Sequence, residues 1–375
     1  MPTTTNAISK SQRVTQTDVA RVAGVHNTTV SLSLRNCPSI PEATRKRIRS
    51  VADAMGYYPD PTLQALVAYR KGRSASRARE TLAYLTNWDT RWGWRELADH
   101  ERAYCGATKK AAELGYQLEH FWLGEAGMNQ RRMGDVLYHR GITGVLVAAH
   151  KDPNAGLTEI DWSRLSAVKI GDFPRAPALH RVIDDYGGAL RLAMRRIEAA
   201  GFERVGLVMP EGLAGVAEQA WNSAFMVEQC NRGPEDRVPI LRLRGPKGPS
   251  SIAELDRWFQ EYQPDAVMGG APEVLVRIRE LGLKVPRDVA YADLCLERTD
   301  FSVAGVRQNG EIIGEVATAM LVGQLQQNLC GTPAVGTSTM VDGTWFDGTS
   351  LAKTSAPAKT PVGIPAFGNS LLAPA

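Results

Sequence analysis

The chain has 375 residues, enough for two domains or more. Hydrophobic residues make up 43% and charged residues 22%, so most of the chain can bury a core, and composition excludes a disordered protein. The net charge of +4 is unevenly spread: residues 1–80 hold thirteen Lys/Arg against five Asp/Glu, a net of +8, and residues 81–375 hold 31 against 35, a net of −4.

A basic head on a mildly acidic body points to a polyanion partner for the head alone. A solvated basic face without a ligand is the alternative. The longest apolar runs, such as Val145 to Ala149, are too short to span a bilayer. Met1 to Arg13 is polar and lacks the apolar stretch of a secretory signal. The five cysteines (37, 105, 230, 295 and 330) are odd in number and widely spread, with no C-x-x-C pair. That argues against a disulfide scaffold or a cysteine zinc site and predicts a reducing, cytoplasmic setting.

In chain order, residues 1–13 read as a disordered arm. Thr15-Gln-Thr-Asp18 resembles a capping box, with Asp in place of the usual Glu. Val19, Ala20 and Ala23 give a first helix a narrow apolar face, and Gly24 permits the positive φ of a tight turn. A second short helix starts near His26 or Asn27, with Val30 and Leu34 facing inward. A third spans about Glu42 to Met55. Ile48, Val51, Ala52 and Met55 share one face of it, and Arg45, Lys46, Arg47 and Arg49 lie on the other. Helix, glycine turn, helix and a supporting third helix make a helix-turn-helix arrangement, whose second helix enters the major groove. A three-helix bundle used only for packing is the alternative.

Pro59-Asp60-Pro61 punctuates the chain, and Leu63, Leu66 and Val67 follow at helical spacing. Lys71 to Arg79 is a basic linker. From Thr81, strand-like runs recur at Thr81–Thr86, Tyr116–Trp122, Gly144–Ala149, Ala167–Ile170, Arg204–Met209, Ala266–Met268, Val289–Ala292 and Val303–Val306. Helical stretches lie among them at Asp99–Leu114, Tyr186–Ala200, Pro272–Leu281 and Glu311–Leu329. Such alternation predicts parallel sheets with helices on both faces, split into two lobes around a cleft. The Ala/Pro/Ser/Thr-rich end reads as a floppy tail.

Three stretches of the head carry a resemblance: Val14-Thr-Gln-Thr-Asp-Val-Ala-Arg-Val-Ala-Gly-Val25 with Thr29-Val-Ser31, Ile40-Pro-Glu-Ala-Thr-Arg45, and Met55-Gly-Tyr-Tyr-Pro59. Together they resemble the head of the LacI/GalR family of bacterial transcription regulators. The resemblance implies base reading by Asn27, Thr28 and Leu32, and phosphate contacts by Thr15, Thr17, Ser31 and Thr44. Asn suits adenine, a Thr hydroxyl suits either kind of base, and Leu32 offers only apolar contact, for example to a thymine methyl. Packing within the head is the alternative for Leu32. His26 stands where the family usually has Ser, and is a poorer N-cap. The resemblance also implies a hinge helix at Asp60–Ala68 that orders on DNA, with Leu66 wedged into the minor groove.

Across 81–350 the resemblance is weaker. It rests on Ala111-Ala-Glu-Leu-Gly-Tyr116, Gly141-Ile-Thr-Gly-Val-Leu-Val147, Gly201-Phe-Glu-Arg-Val-Gly206, Val285-Pro-Arg-Asp-Val289 and Val306-Arg-Gln308. It implies a periplasmic-binding-protein-like α/β fold of two lobes joined by three crossovers, with a small-molecule effector, a sugar or related metabolite, in the cleft. Many sugar-binding members clamp hydroxyls with an Arg where this chain has Trp221. Asn87, Trp88, Asp89, Trp122, His150, Asp172, Trp221, Asp293 and Gln308 are candidate effector contacts, with the indoles, Trp92 and Trp94 among them, suited to flat apolar ligand faces.

The expected organisation is a disordered arm at 1–13, a DNA-binding domain at 14–59 and a hinge with linker at 60–80. An effector and dimerisation domain follows at 81–350 and a disordered tail at 351–375. Lobe one is expected at about 81–179 and 304–333, and lobe two at about 180–303 and 334–350.

No metal-ligand cluster, phosphate loop or nucleophile elbow appears, so the sequence predicts no enzyme, cofactor or metal. The expected partners are a near-palindromic double-stranded DNA operator, a small-molecule effector and a second copy of the chain, without a membrane. Repression is the commoner outcome in the family. The rival readings are a small-molecule binding protein or degenerate enzyme whose head only dimerises, and a regulator with no effector.

Overall fold

In the computed structural model, the structure describes residues 14–34, 40–57, 80–152, 156–210, 216–243, 249–270 and 272–351. They fall into two compact units, a head and a body that starts near residue 79.

The head holds α1 (Gln16–Ala23), α2 (Asn27–Leu34) and α3 (Glu42–Ala54). Eight-residue helices are marginal alone and need tertiary burial. Val19, Ala20, Ala23, Val30, Ile48 and Ala52 supply that core, with Val25, Leu34, Val51 and Met55 packed partly against it. Thr15 and Asp18 form the reciprocal capping box at the start of α1. Gly24 ends α1 at φ +64°, a left-handed conformation that a side chain would strain.

The body is built on two six-stranded sheets. The first has the order β11-β5-β4-β3-β1-β2, with β1 (Glu80–Asn87), β2 (Tyr116–Trp122), β3 (Gly144–His150), β4 (Ser166–Ile170), β5 (His180–Asp184) and β11 (Ser338–Val341). All its pairings are parallel. One face is covered by α4 (Ala98–Glu113) and α10 (Gly310–Gln326), the other by α5 (Gln130–His139).

The second sheet has the order β12-β10-β9-β8-β6-β7, with β6 (Val205–Pro210), β7 (Leu241–Leu243), β8 (Ala266–Gly269), β9 (Ala290–Asp293), β10 (Ala304–Arg307) and an antiparallel edge β12 (Thr344–Phe346). Helices α6 (Tyr186–Ala199) and α7 (Val216–Cys230) pack on one face. Helices α8 (Pro249–Tyr262) and α9 (Pro272–Glu280) pack on the other. The central strands are buried on both faces, which is why they read as continuous apolar runs instead of alternating ones.

Three crossovers join the lobes: β5 to α6, β10 to α10 and β11 to β12. They meet through hydrogen bonds from Asp185 N to Val341 O at 2.9 Å and from Asn309 Nδ2 to Asp342 O at 2.6 Å. This moves the expected lobe boundaries. Residues 180–184 belong to lobe one, because β5 pairs with β4 and β11. Residues 338–341 join lobe one for the same reason, and 304–307 join lobe two, because β10 pairs with β9. Lobe one is therefore 80–184 with 310–341, and lobe two is 186–307 with 344–351. The arm at 1–13, most of the 60–80 hinge including Leu66, and residues 352–375 of the tail lie outside the described residues.

Candidate DNA interface and interlobe cleft

The head presents the start of α2 to solvent. His26, Asn27 and Thr28 are exposed, Ser31 and Leu32 half-buried. His26 caps the helix through its ring: Nδ1 accepts from Thr28 N at 3.3 Å and lies 3.0 Å from Thr28 Oγ1. Sequence reasoning had it as a poor cap, but an unprotonated imidazole nitrogen is an adequate acceptor for an orphan helix N–H. The contact also fixes the Thr28 hydroxyl beside the exposed Asn27.

Thr15 and Thr17 are exposed at the start of α1, and Thr44 is half-buried in the first turn of α3. Thr15 spends its hydroxyl hydrogen on Asp18 Oδ2 at 2.6 Å. That bond, ahead of the Arg21 charge, holds the Asp18 carboxyl below its usual range. Lys46 and Arg47 stay exposed on α3, where Lys46 pairs with Glu42 at 3.0 Å.

The body's candidates gather at the carboxyl ends of the strands, as expected for open α/β sheets. In lobe one, Asn87, Trp88 and Asp89 line a shallow pocket of about 380 Å³ with Lys151 and Asp152. Asp89 and Lys151 form an ion pair, and Trp122 Nε1 donates to Trp88 O at 3.0 Å. A bulge places two residues of β3 opposite Thr86, with Ala149 at φ +50°. It turns His150 into register with Asn87. His150 Nδ1 lies 3.0 Å from Ala148 O and must donate to that carbonyl, which leaves Nε2 as a bare, buried acceptor. Burial, with the Lys169 charge, pushes the imidazole down to about 4, so it is neutral at pH 7.

Asp172 is engaged within lobe one by Arg181 at 2.6 Å. Trp92, 43% exposed, lies 4.3 Å from the His120 ring, while Trp94 is wholly buried. A second surface pocket of about 410 Å³, lined by Phe259, Gln263 and Leu283 among others, sits at the opposite, amino-terminal edge of the second sheet.

In lobe two, Trp221 is not the open stacking wall expected from sequence. It is fully buried in the core, edge-on to Tyr186 with centroids 5.7 Å apart. Its Nε1 has no hydrogen-bond partner among the described residues. Asp293 accepts from Cys295 N at 2.8 Å, and Gln308 Nε2 donates to Leu294 O at 3.2 Å. Burial pushes Asp293 up to about 6. Gln308 Oε1 is buried and unpartnered.

Sequence reasoning missed a group beside the crossovers. Asp184 ends β5, and Asp185 caps α6 by accepting from Gly188 N at 2.8 Å. Burial, followed by the neighbouring Asp99 carboxylate, pushes Asp184 up to about 7. Asp99 itself is held by Arg102 at 2.5 Å. The pair Asp184-Asp185 was visible in the sequence, but nothing local tells that the last residue of β5 meets the start of α4. Among the described residues, no group of three or more His, Cys, Asp or Glu is placed to hold a metal ion, and no helix is long and apolar enough to cross a membrane.

A helix-turn-helix head followed by two parallel α/β lobes with three crossovers defines a DNA-binding transcriptional regulator. Residues 15–60 match the family of bacterial regulatory proteins, lacI family. The HTH-type transcriptional regulator CelR of Thermobifida fusca is 24% identical over 341 residues, which cover 85% of this chain and 94% of that protein. Two solved structures share the fold. A CelR–cellobiose complex has TM-score 0.53 at 20% identity, over 90% of this chain and all of that one. The lac repressor dimer bound to operator and the anti-inducer ONPF has TM-score 0.51 at 17% identity, over 91% of this chain and all of that one. The match to the lacI family thus falls on the helix-turn-helix head.

Proposed function

We propose that this regulator acts as a homodimer that reads a near-palindromic operator and releases or grips it according to a carbohydrate-class effector held between its lobes. The observation that supports the effector half is a set of buried polar atoms left without partners. Buried polar atoms without partners, His150 Nε2, Gln308 Oε1, Trp221 Nε1 and Asp184 Oδ1, sit near the strand ends and crossovers of both sheets. Unsatisfied buried polar atoms are costly and mark a place where a ligand supplies the missing hydrogen bonds. The cellobiose bound to the CelR structure supports a sugar as that ligand.

In the head, Asn27 and Thr28 read base edges, Leu32 adds apolar contact, and Thr15, Thr17, Ser31 and Thr44 hold phosphates. Leu66 in the hinge enters the minor groove. Effector binding shifts the lobe angle, and thereby the hinge spacing, at the three crossovers. The chain works by binding, not by catalysis, in the compartment that holds the DNA.

Selection from a random duplex pool with the full chain tests the reading. The expected result is one near-palindromic sequence, bound with steep salt dependence and released or tightened by a member of a sugar panel. Weak, sequence-indifferent binding would refute the operator role. An operator that no sugar affects would refute the effector class.

A further inference from the structure

We propose that His26 decides which bases Thr28 reads: its ring holds the Thr28 hydroxyl as an acceptor only, so the operator carries an amino-bearing base, adenine or cytosine, at the position Thr28 meets. This inference rests on the reading of the start of α2 as the base-reading segment and narrows it to one class of base.

Hydrogen bonds at the helix N-terminus fix the tautomer of the ring. The His26 carbonyl accepts from Thr29 N at 2.9 Å and from Val30 N at 3.2 Å, which makes His26 the N-cap of α2. Thr28 is then the second residue of the helix, and its N–H is one of the donors that no helical carbonyl meets. That N–H donates to His26 Nδ1 at 3.3 Å. A backbone N–H can only donate, so Nδ1 is the bare nitrogen and the ring's hydrogen sits on Nε2. Thr28 Oγ1 lies 3.0 Å from the same Nδ1. A hydroxyl that close to a bare nitrogen bonds it by donating. The Thr28 hydrogen is therefore spent within the head, and Oγ1 keeps only lone pairs for a ligand.

The base edges sort by the same chemistry. In the major groove adenine offers its N6 hydrogens and cytosine its N4 hydrogens, whereas guanine offers O6 and N7 and thymine offers O4, all acceptors. A free threonine hydroxyl serves either class by turning its hydrogen. With the hydrogen held by His26, the amino group of adenine or cytosine meets a lone pair, while guanine or thymine sets lone pair against lone pair. His26 and Thr28 are both exposed, so the oriented hydroxyl is open to the groove. Leu32, one turn on along the same helix face, has no polar side-chain atom to turn the hydroxyl back. A serine cap would not impose this choice, because its own hydroxyl carries a hydrogen that can go to Thr28 Oγ1 and free the threonine hydrogen.

The test uses the full chain: selection from a random duplex pool, then titration of the selected site with all four bases at each position. Thr28→Val identifies the position that Thr28 reads. There, wild type should select adenine or cytosine and bind guanine or thymine about tenfold more weakly, a difference of about 1.4 kcal/mol. His26→Gly removes the ring but keeps a residue that caps helices well, so the head should stay folded, as circular dichroism reads. His26→Ser is the second variant, a strong cap whose oxygen carries a hydrogen. Both should bind the four bases at that position within about threefold of one another, because the freed hydroxyl can donate or accept. Guanine or thymine at that position in the wild-type site overturns the inference, as does an adenine or cytosine preference that both variants keep. A selected sequence that Thr28→Val leaves unaltered would sink the base-reading role of Thr28 along with it.

Discussion

Helices α4 and α10 cross at glycine, and this contact gives a sharp test of how the first lobe is held together. A Cβ on Gly314 would lie 2.0 Å from Ala103 O and 2.7 Å from Ala107 N. Both are backbone atoms, so no flexible side chain can yield. Gly106 meets Glu311 O at 1.9 Å in the same way from the other helix. Gly323, on α10 nine residues beyond Gly314, has nothing within 4 Å of its Cβ position.

Replacing glycine by alanine inside a helix gains about 1 kcal/mol from backbone entropy. At Gly323 that gain is unopposed. At Gly314 the helices must separate by more than ~1 Å, which loosens their shared packing with Ala107, Ala317 and Leu321 and costs about 3 kcal/mol at the upper end of overpacking losses. The same chemical change therefore has opposite signs about 2–3 turns apart: ~1 kcal/mol of stabilisation for Gly323→Ala and ~2 kcal/mol of destabilisation for Gly314→Ala. For a body of this size each kcal/mol moves the melting temperature by about 2–4 °C. Calorimetry of the two variants should show a rise of roughly 2–4 °C and a fall of roughly 4–8 °C. A Gly314→Ala protein as stable as wild type would refute the close-crossing argument.

Three further outcomes follow from the same structure. Thr15→Ala breaks the capping box of α1 and should cost the head about 1 kcal/mol, seen as earlier loss of helical circular dichroism in a urea titration. Thr28→Val should leave the head folded and the salt slope of operator binding unchanged while relaxing base preference at one position of each half-site; an unaltered selected sequence would count against base reading there. Asp184 has its pKa raised to about 7 in the folded chain, so the protonated form favours folding. Its contribution is fully present below the unfolded value near 4 and is lost as pH rises through about 7. Wild type should thus lose stability relative to Asp184→Asn between about pH 4 and 7 and stay level above that, and a pH-independent difference would show that Asp184 is not buried as charge.

The head was legible because its determinants are local. The Thr15–Asp18 cap, the left-handed Gly24 and the apolar spacing of α3 each lie within one turn or one helix. The strands of the two sheet centres were legible for a different reason, since burial on both faces makes runs such as Gly144–Ala149 apolar throughout. Edge and crossover strands escaped. His180–Asp184 and Ser338–Val341 are short and flanked by polar residues, and only their pairing with each other reveals them. Helices α5, α7 and α8 escaped too, because polar residues interrupt their apolar spacing.

Composition and motif by themselves determined a basic helix-turn-helix head on a parallel α/β body, since charge, caps and hydrophobic runs are properties of neighbouring residues. The chain path through the crossovers was decided only in three dimensions. That path assigns β5, β10 and β11 to their lobes, buries Trp221, and brings Asp184 to Asp99 from 85 residues away in sequence. Burial and charge at a site depend on what the fold places around it, and a sequence read along its length does not contain that distance.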